Sequence, residues 1–334
     1  MRVELRAPDW ATHLLSDLTD WEKAPVPVER VRPFDLPEDA YFEYAWRDAD
    51  GNKRPDPENL NPILNPWWDY ASNLSGPFYE PDPMAALPAT APRGRVLRLS
   101  VESRILGQER RFIVYSPAGM AGTPLPHILF QDGKAYFGWG KVPQVVDAML
   151  RAGRIGPAHL VCVPPMERTE EYAFNPHFRR FLTEEILPLA EERAPCDGRR
   201  IAWGASLGGL LSATLAWERP DLFQKVVAQS GAFLFSEDMD RRVPWGGNEG
   251  FRQQVLGEEP RDIRWHLDCG TIEWLIGSNR RLRDALSRRG MAVSLIERSA
   301  GHNWINWKNG LAAGMEFALP PDAEGKLDSP RGGV

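Results

Sequence analysis

Three cysteines in a chain of 334 residues are too few, and an odd number, to staple a fold with disulfides. Cys162, Cys196 and Cys269 follow no metal-ligand spacing, and Cys162 sits in the apolar run 159–163, where a thiol behaves as a small hydrophobe. Neither a disulfide framework nor a bound metal is expected, which suits a reducing compartment. Positive charge is not in excess: 40 Lys and Arg face 46 Asp and Glu, for a formal net charge of -6. Without a basic field to draw phosphate backbones, no nucleic-acid partner is expected. No stretch approaches the ~20 apolar residues needed to cross a bilayer, so no membrane partner is expected either. Residues 1–10 lack the apolar segment of a secretory signal, and the expected location is the cytoplasm. Internal repeats and long low-complexity tracts are also lacking.

What remains is an ordinary globular composition, 43% hydrophobic and 26% charged, on a chain long enough for one large domain and a smaller one. Residues 40–46, Ala-Tyr-Phe-Glu-Tyr-Ala-Trp, have the aromatic density of a strand and lead into the turn 48–52, Asp-Ala-Asp-Gly-Asn. Residues 53–95 are rich in proline, which removes backbone donors and marks linker or draped chain. From residue 96 strands alternate with helices. Strands are predicted at 96–101, 111–115, 127–131, 160–163, 200–203, 225–229, 263–267 and 293–296. Helices are predicted at 142–151, 178–192, 207–217, 273–289 and 304–317. That alternation predicts an α/β fold, a mainly parallel sheet wrapped by helices. The expected organisation is a small N-terminal domain with its Pro-rich linker over 1–85, a catalytic domain over 86–318 and a disordered polar tail over 319–334.

One segment carries chemistry. Gly204-Ala-Ser206-Leu-Gly208 lies between a short apolar strand and a helix, the setting of an α/β-hydrolase nucleophile elbow. Glycines two residues either side of the serine are demanded by the tightness of that turn, and the helix starting at Leu207 aims free amides at developing negative charge. A serine hydroxyl needs a base to take its proton. Of the two histidines after Ser206, His266 falls inside a predicted strand, whereas His302 follows the last strand beside Gly301 and matches the chain order serine, acid, histidine. Asp268 and Glu273, after the preceding strand, are the candidate acids. The amide of Leu207 is one expected oxyanion donor, and the loop Gln131-Asp132-Gly133-Lys134 is expected to supply the other, with Gly133 as the point of close approach.

Taken in order, these segments resemble the enterochelin esterases, the siderophore-hydrolysing branch of the esterase D-like α/β-hydrolases. The matching motifs are Phe130-Gln-Asp-Gly133; Arg168-Thr-Glu-Glu171-Tyr172 with Asn175 and Phe178; and Glu184-Glu185-Ile-Leu-Pro188. They continue with Gly204–Gly209, Gln229-Ser-Gly231-Ala-Phe233, Gly270-Thr-Ile-Glu273 and Gly301-His302-Asn-Trp304 with Trp307. The resemblance covers about residues 96 to 317. It implies that the acid of the Gly-x-x-acid segment, Glu273, is the third member of the triad, and that residues 1–85 form an immunoglobulin-like domain. It also implies a catecholate siderophore ester, carrying iron, as the small-molecule substrate, and no cofactor. A trianionic aromatic ligand calls for cations and flat apolar surfaces, and Lys134, Trp139, Arg168, Arg241, Arg242, Trp245 and Trp304 are candidates. Arg168 has an alternative role as an ion-pair partner of Glu171. The segment 233–250 reads as a specificity loop. Competing readings are a carbohydrate or feruloyl esterase or acyltransferase on the same fold, and a catalytically silent glycan-binding protein.

Overall fold

The computed structural model describes residues 1–65, 68–87, 90–237 and 248–321. Its frame is an eight-stranded sheet built from β1 (Arg95–Ser103), β2 (Gln108–Ser116), β3 (Leu125–Phe130), β4 (His159–Cys162), β5 (Cys196–Ala205), β6 (Lys225–Gln229), β7 (Arg264–Gly270) and β8 (Val293–Arg298). The spatial order is β1-β2-β4-β3-β5-β6-β7-β8. β1 and β2 form an antiparallel hairpin whose exposed and covered residues alternate, whereas β3 through β8 run parallel. Every residue of β3 and β4 is buried, because helices cover both faces, and this is why Ile128–Phe130 and Leu160–Cys162 read as apolar sequence.

The order reverses beside β3, which pairs β5 on one side and β4 on the other. In open α/β sheets the crevice at such a reversal, beyond the carboxyl ends of the strands, receives the ligand. The pairing Phe130↔Trp203 brings the chain leaving β3 at Gln131 alongside the chain leaving β5 at Ser206. Helix α1 (Gly133–Gly138) follows β3, and helix α2 (Val142–Arg151) packs its apolar stripe, with Val142, Val145, Val146 and Met149, into the core. Helix α3 (Leu207–Glu218) follows β5 and is buried at every residue but Glu218. Helix α4 (Ile276–Arg288) precedes β8, and α5 (Trp304–Asn309) and α6 (Leu311–Ala318) follow it.

Three expected helices differ in detail. The helix expected over 178–192 is interrupted by a π-helical stretch at Phe181–Ile186, ahead of Pro188. Proline has no amide hydrogen for the regular ladder, and a π turn absorbs the gap. The helix expected from 273 begins at Ile276, leaving Glu273 in the turn before it. The helix expected over 304–317 breaks at Gly310, where a Cβ would come within 2.3 Å of Asp268 Oδ2. Leu319 is buried and its carbonyl accepts from the Gly156 amide at 3.0 Å, so the packed domain continues past 318. Residues 322–334 of the expected tail lie outside the described residues.

The N-terminal region is an antiparallel sheet. Tyr41–Asp48 is its long central strand, flanked by Ala11–Ser16, Lys53–Arg54 and Ser72–Ser75, with Val26–Pro27 at the edge. Period-two alternation divides the central strand's work. Phe42, Tyr44 and Trp46 fill this domain's own core, while Tyr41, Glu43 and Ala45 point the other way. The Tyr41 amide donates to the Ser299 carbonyl at 2.9 Å, tying the small sheet to the chain just beyond β8. Among the described residues, no helix is long and apolar enough to cross a membrane.

Candidate active site

Ser206 stands between β5 and α3 with φ 57° and ψ -123°, a conformation that costs a residue bearing a Cβ on the order of 1–3 kcal/mol. The turn is closed so tightly that a Cβ on Gly204 would sit 2.3 Å from the Gly208 carbonyl oxygen. The Ser206 amide donates to the Gln229 carbonyl at 2.9 Å, and the Ser206 carbonyl accepts from the amides of Ala232 at 3.0 Å and, in the first turn of α3, Gly209 at 3.0 Å and Leu210 at 3.1 Å.

His302 reaches this serine from the loop after β8, with Nε2 3.0 Å from Ser206 Oγ. Its Nδ1 meets Glu273 Oε2. The ring is held between Trp274, centroid distance 4.8 Å, and the edge of Trp307, 5.1 Å away at 89°. Glu273 is buried, and its other oxygen, Oε1, accepts from Ser230 Oγ at 2.6 Å, the Gly270 amide at 2.8 Å and Cys269 Sγ at 3.1 Å. Ser230 Oγ in turn accepts from the Trp307 indole at 3.0 Å. Burial pushes the Glu273 carboxyl up, but the facing His302 and the Ser230 and Cys269 donors outweigh it, leaving the group below its usual range. It is therefore a carboxylate at neutral pH, suited to orienting an imidazole and stabilising its charged form.

The other candidates are placed elsewhere. Asp268 is buried against Arg298 at 2.7 Å and accepts from Gln229 at 2.9 Å, so its charge is neutralised within the sheet. His266 lies within β7, its Nδ1 3.0 Å from Ser294 Oγ, and its ring packs on Phe317.

The oxyanion expectation divides. The Leu207 amide begins α3 and has no backbone acceptor among the described residues. Gly133 differs from expectation: its amide donates to the Val163 carbonyl at 2.9 Å. The missing Cβ serves packing, because one would lie 2.2 Å from the carbonyl carbon of Cys162 on the neighbouring strand. The Asp132 amide is likewise taken, donating to the Tyr172 hydroxyl at 2.7 Å.

Arg168 does not pair with Glu171. Its guanidinium grips Asp132 through two 2.8 Å bonds and donates to the Ala205 carbonyl at 3.1 Å, fastening the loop after β3 to the elbow. Glu171 instead accepts from buried Arg110 at 2.7 and 3.1 Å. In front of Ser206 and His302 lies a cavity of about 360 Å³, walled by Arg168, Trp304 and Trp307 and, from the N-terminal domain, by Asn65 and Trp68. Arg168 also borders a larger groove of about 1010 Å³ on the β1–β2 side, where Lys134 and exposed Trp139 face Arg98, Arg111 and Phe137. Lys134, Trp139 and Arg168 thus share one groove, and Trp304 belongs to the inner cavity. Arg241, Arg242 and Trp245 lie outside the described residues.

Ser230, Trp274, Trp307 and the N-terminal wall were not anticipated as site residues. The available signals were that Ser230 and Trp307 stand in or with the matching motifs and that Trp274 directly follows Glu273. At the opposite, amino-terminal end of the strands, His127, Glu191 and Cys196 have potential ligand atoms within 4.8 Å of one another. The three side chains already have structural contacts: His127 Nε2 meets the Ala194 carbonyl at 2.8 Å, Glu191 accepts from Arg200 Nε at 3.0 Å, and Cys196 Sγ lies 3.5 Å from the Arg199 carbonyl.

Comparison with known proteins gives the family and the fold. A family described as "Putative esterase" matches residues 103–318. The iron(III) enterobactin esterase of Dickeya dadantii is 28% identical over 260 residues, covering 71% of this chain and 57% of that enzyme. The uncharacterized protein YjcH of Bacillus subtilis is 24% identical over 235 residues, covering 64% of this chain and 93% of the relative. Among solved structures, an enterochelin esterase from Shigella flexneri superposes with a TM-score of 0.75 at 19% identity, over 93% of this chain and 88% of that one. At that identity the likeness speaks for the fold.

Proposed function

The chain belongs to this esterase family, and from that premise we propose that it hydrolyses carboxylic esters with Ser206 as nucleophile, His302 as general base and Glu273 as the orienting acid. The observation that carries the reading is the continuous contact from Ser206 Oγ to His302 Nε2 at 3.0 Å and from His302 Nδ1 to a buried, ionised Glu273. In the first half-reaction Ser206 Oγ bonds to the ester carbon as its proton passes to His302 Nε2. The carbonyl oxygen becomes an oxyanion next to the Leu207 amide and the amino end of α3. The intermediate collapses by breaking the bond to the alcohol oxygen, which takes the proton from His302. Water then repeats the sequence on the acyl-enzyme, giving the acid and restoring Ser206.

For the substrate we propose a catecholate siderophore ester, in a protein expected in the cytoplasm. Two observations support it: the enterobactin and enterochelin esterases among the relatives, and a groove pairing cations with aromatic surface next to the reacting centre. Catecholate rings are flat and, around iron, anionic, which suits Lys134, Arg98 and Arg111 beside Trp139 and Phe137. The test is hydrolysis of ferric and iron-free trilactone siderophore, followed chromatographically as linear fragments appear, with feruloylated sugar as comparator. Faster turnover of the feruloyl ester would refute the siderophore assignment and leave the serine chemistry standing. No turnover of any ester by a folded protein that contains His302 and Ser206 would refute both.

A further inference from the structure

One carboxylate of the N-terminal domain reaches the loop that carries the catalytic histidine. Asp17 is fully buried and takes three N–H donors: the Glu43 amide at 2.8 Å, the Trp21 indole at 3.2 Å and the Asn303 side-chain amide at 3.0 Å. Asn303 directly follows His302. Gly301 directly precedes it, and a Cβ there would lie 2.0 Å from Asp17 Cγ. The carboxylate therefore fills the space beside Gly301 and bonds Asn303, holding the loop on both sides of the imidazole. From the hydrolase side, Asn306 Nδ2 donates to the Gly301 carbonyl at 3.0 Å, and the Asn303 side chain caps α5 by accepting from the Asn306 amide at 2.9 Å. The loop is thus clamped between two domains.

Glu43 extends the same contact toward the cavity. It is buried beside Asp17, accepting from the Tyr41 hydroxyl at 3.1 Å and from Asn65 Nδ2 at 2.8 Å. Asn65 Oδ1 receives the Trp68 amide at 3.1 Å, and both residues wall the space in front of Ser206. Burial pushes the Asp17 and Glu43 carboxyls above their ordinary range, and for Glu43 the charge of Asp17 adds to it. Two carboxyls in one dry pocket are a poor way to glue domains, since apolar residues of the same size would do so at less cost. Departures of this kind from the rules of stable packing collect where function needs them.

We propose that Asp17 is a positioning residue for His302, its carboxylate fixing the loop 301–303 so that Nε2 stays within reach of Ser206 Oγ. The small domain is then a component of the reaction centre, supplying a brace and a wall. This rests on the reading of Ser206 and His302 as the reacting pair.

The experiment uses the full chain and p-nitrophenyl butyrate, a probe that needs no siderophore groove. Asn303→Asp sets a carboxylate against Asp17 while keeping the oxygen that caps α5. It should lower kcat at least tenfold and change KM less than twofold. Asp17→Asn alone gives up one donor contact and should cost less. Combining the two lets the new amide donate to the carboxylate at position 303, at the expense of the acceptor it offers the Glu43 amide, and should raise kcat several-fold above the Asn303→Asp value. The downfield proton resonance of the His302 Nδ1–H should shift or broaden in Asn303→Asp and return in the double variant, which a merely stabilising contact would not produce. A folded Asn303→Asp protein with wild-type kcat, or a double variant no better than Asn303→Asp, overturns the proposal. Should Asn303→Asp fail to fold, Asp17→Ala reads the same quantity, and kcat within twofold of wild type overturns it. An active Ser206→Ala variant would instead overturn the reading of the reacting pair.

Discussion

Replacing Glu273 by glutamine changes one oxygen to an NH₂ and almost nothing in volume, so its effect isolates hydrogen-bond polarity. The side chain must turn its NH₂ either toward the site of Oε1 or toward that of Oε2. At Oε1 it would meet the Gly270 amide, a fixed donor, together with the hydroxyl of Ser230 and the thiol of Cys269. Ser230 has little freedom to adapt, because its oxygen already accepts from the Trp307 indole. At Oε2 the NH₂ meets only His302 Nδ1. Three donors against one decide the orientation, and the NH₂ faces the imidazole. Nδ1 must then present its lone pair, which places the ring proton on Nε2, pointing at Ser206 Oγ. That tautomer cannot accept the serine proton. The equivalent acid-to-amide change in the chymotrypsin-type triad lowers kcat by on the order of 10⁴, about 5.5 kcal/mol of barrier. Steady-state hydrolysis of p-nitrophenyl butyrate at constant protein, with circular dichroism to verify folding, measures it. Asp268→Asn is the paired control: it strips charge from Arg298 inside the sheet and should cost about 2 kcal/mol of stability, while the folded fraction retains wild-type kcat. A Glu273→Gln loss below tenfold, or a larger kcat loss in Asp268→Asn, would refute the assignment of the acid.

Ser206→Gly should abolish phosphonate labelling and ester turnover yet raise the thermal midpoint, because glycine adopts φ 57° at no steric cost; a gain of about 1 kcal/mol is expected by calorimetry. His127 supplies a pH test. Burial, set only partly against its bond to the Ala194 carbonyl, pushes it from 6.5 down to about 4. The unfolded chain therefore takes up a proton below pH 6.5 that the fold refuses until about pH 4. Stability is complete above that window and falls as pH drops through it, by about 3 kcal/mol from this group. His127→Gln should flatten the wild-type slope of urea midpoint against pH between those values; an unchanged slope contradicts the assignment. Lys134→Ala and Trp139→Ala should each raise KM for an anionic aromatic ester several-fold, on the order of 1 kcal/mol, with kcat and the KM for p-nitrophenyl acetate preserved. An equal rise for both esters would remove the groove from substrate recognition.

How much of this could be read from the chain depended on how local each constraint is. The covered strands were legible because burial on both faces leaves a short apolar run, as in Val226–Ala228 of β6. The elbow was legible because its requirement lies within five residues: Gly204 and Gly208 nearly touch, and only glycine allows it. His302 followed from chain order and from standing beside Gly301. Elsewhere the residue type announced a constraint without naming its partner. Gly133 does mark a close backbone approach, but to the strand at Cys162 rather than to a ligand. Arg168 does form an ion pair, but with Asp132, while the neighbouring Glu171 turns inward to Arg110.

The brace on His302 was the least legible part, and the reason is physical. Asp17 and Asn303 are 286 residues apart in sequence, and no pattern near either one encodes the contact. In the sequence Gly301 is only the residue beside His302, whereas in the structure the space its missing side chain leaves is filled by a carboxylate from the other domain. An immobilised loop suits general base catalysis better than a free one, since an imidazole displaced by about 1 Å from its nucleophile loses on the order of 10² in rate. A chain that kept Ser206, Glu273 and His302 but carried a side chain at position 301 would have to give up the Asp17 contact. Its triad would read the same in sequence, yet the ring would be held from the hydrolase side alone, by Asn306, Trp274 and Trp307.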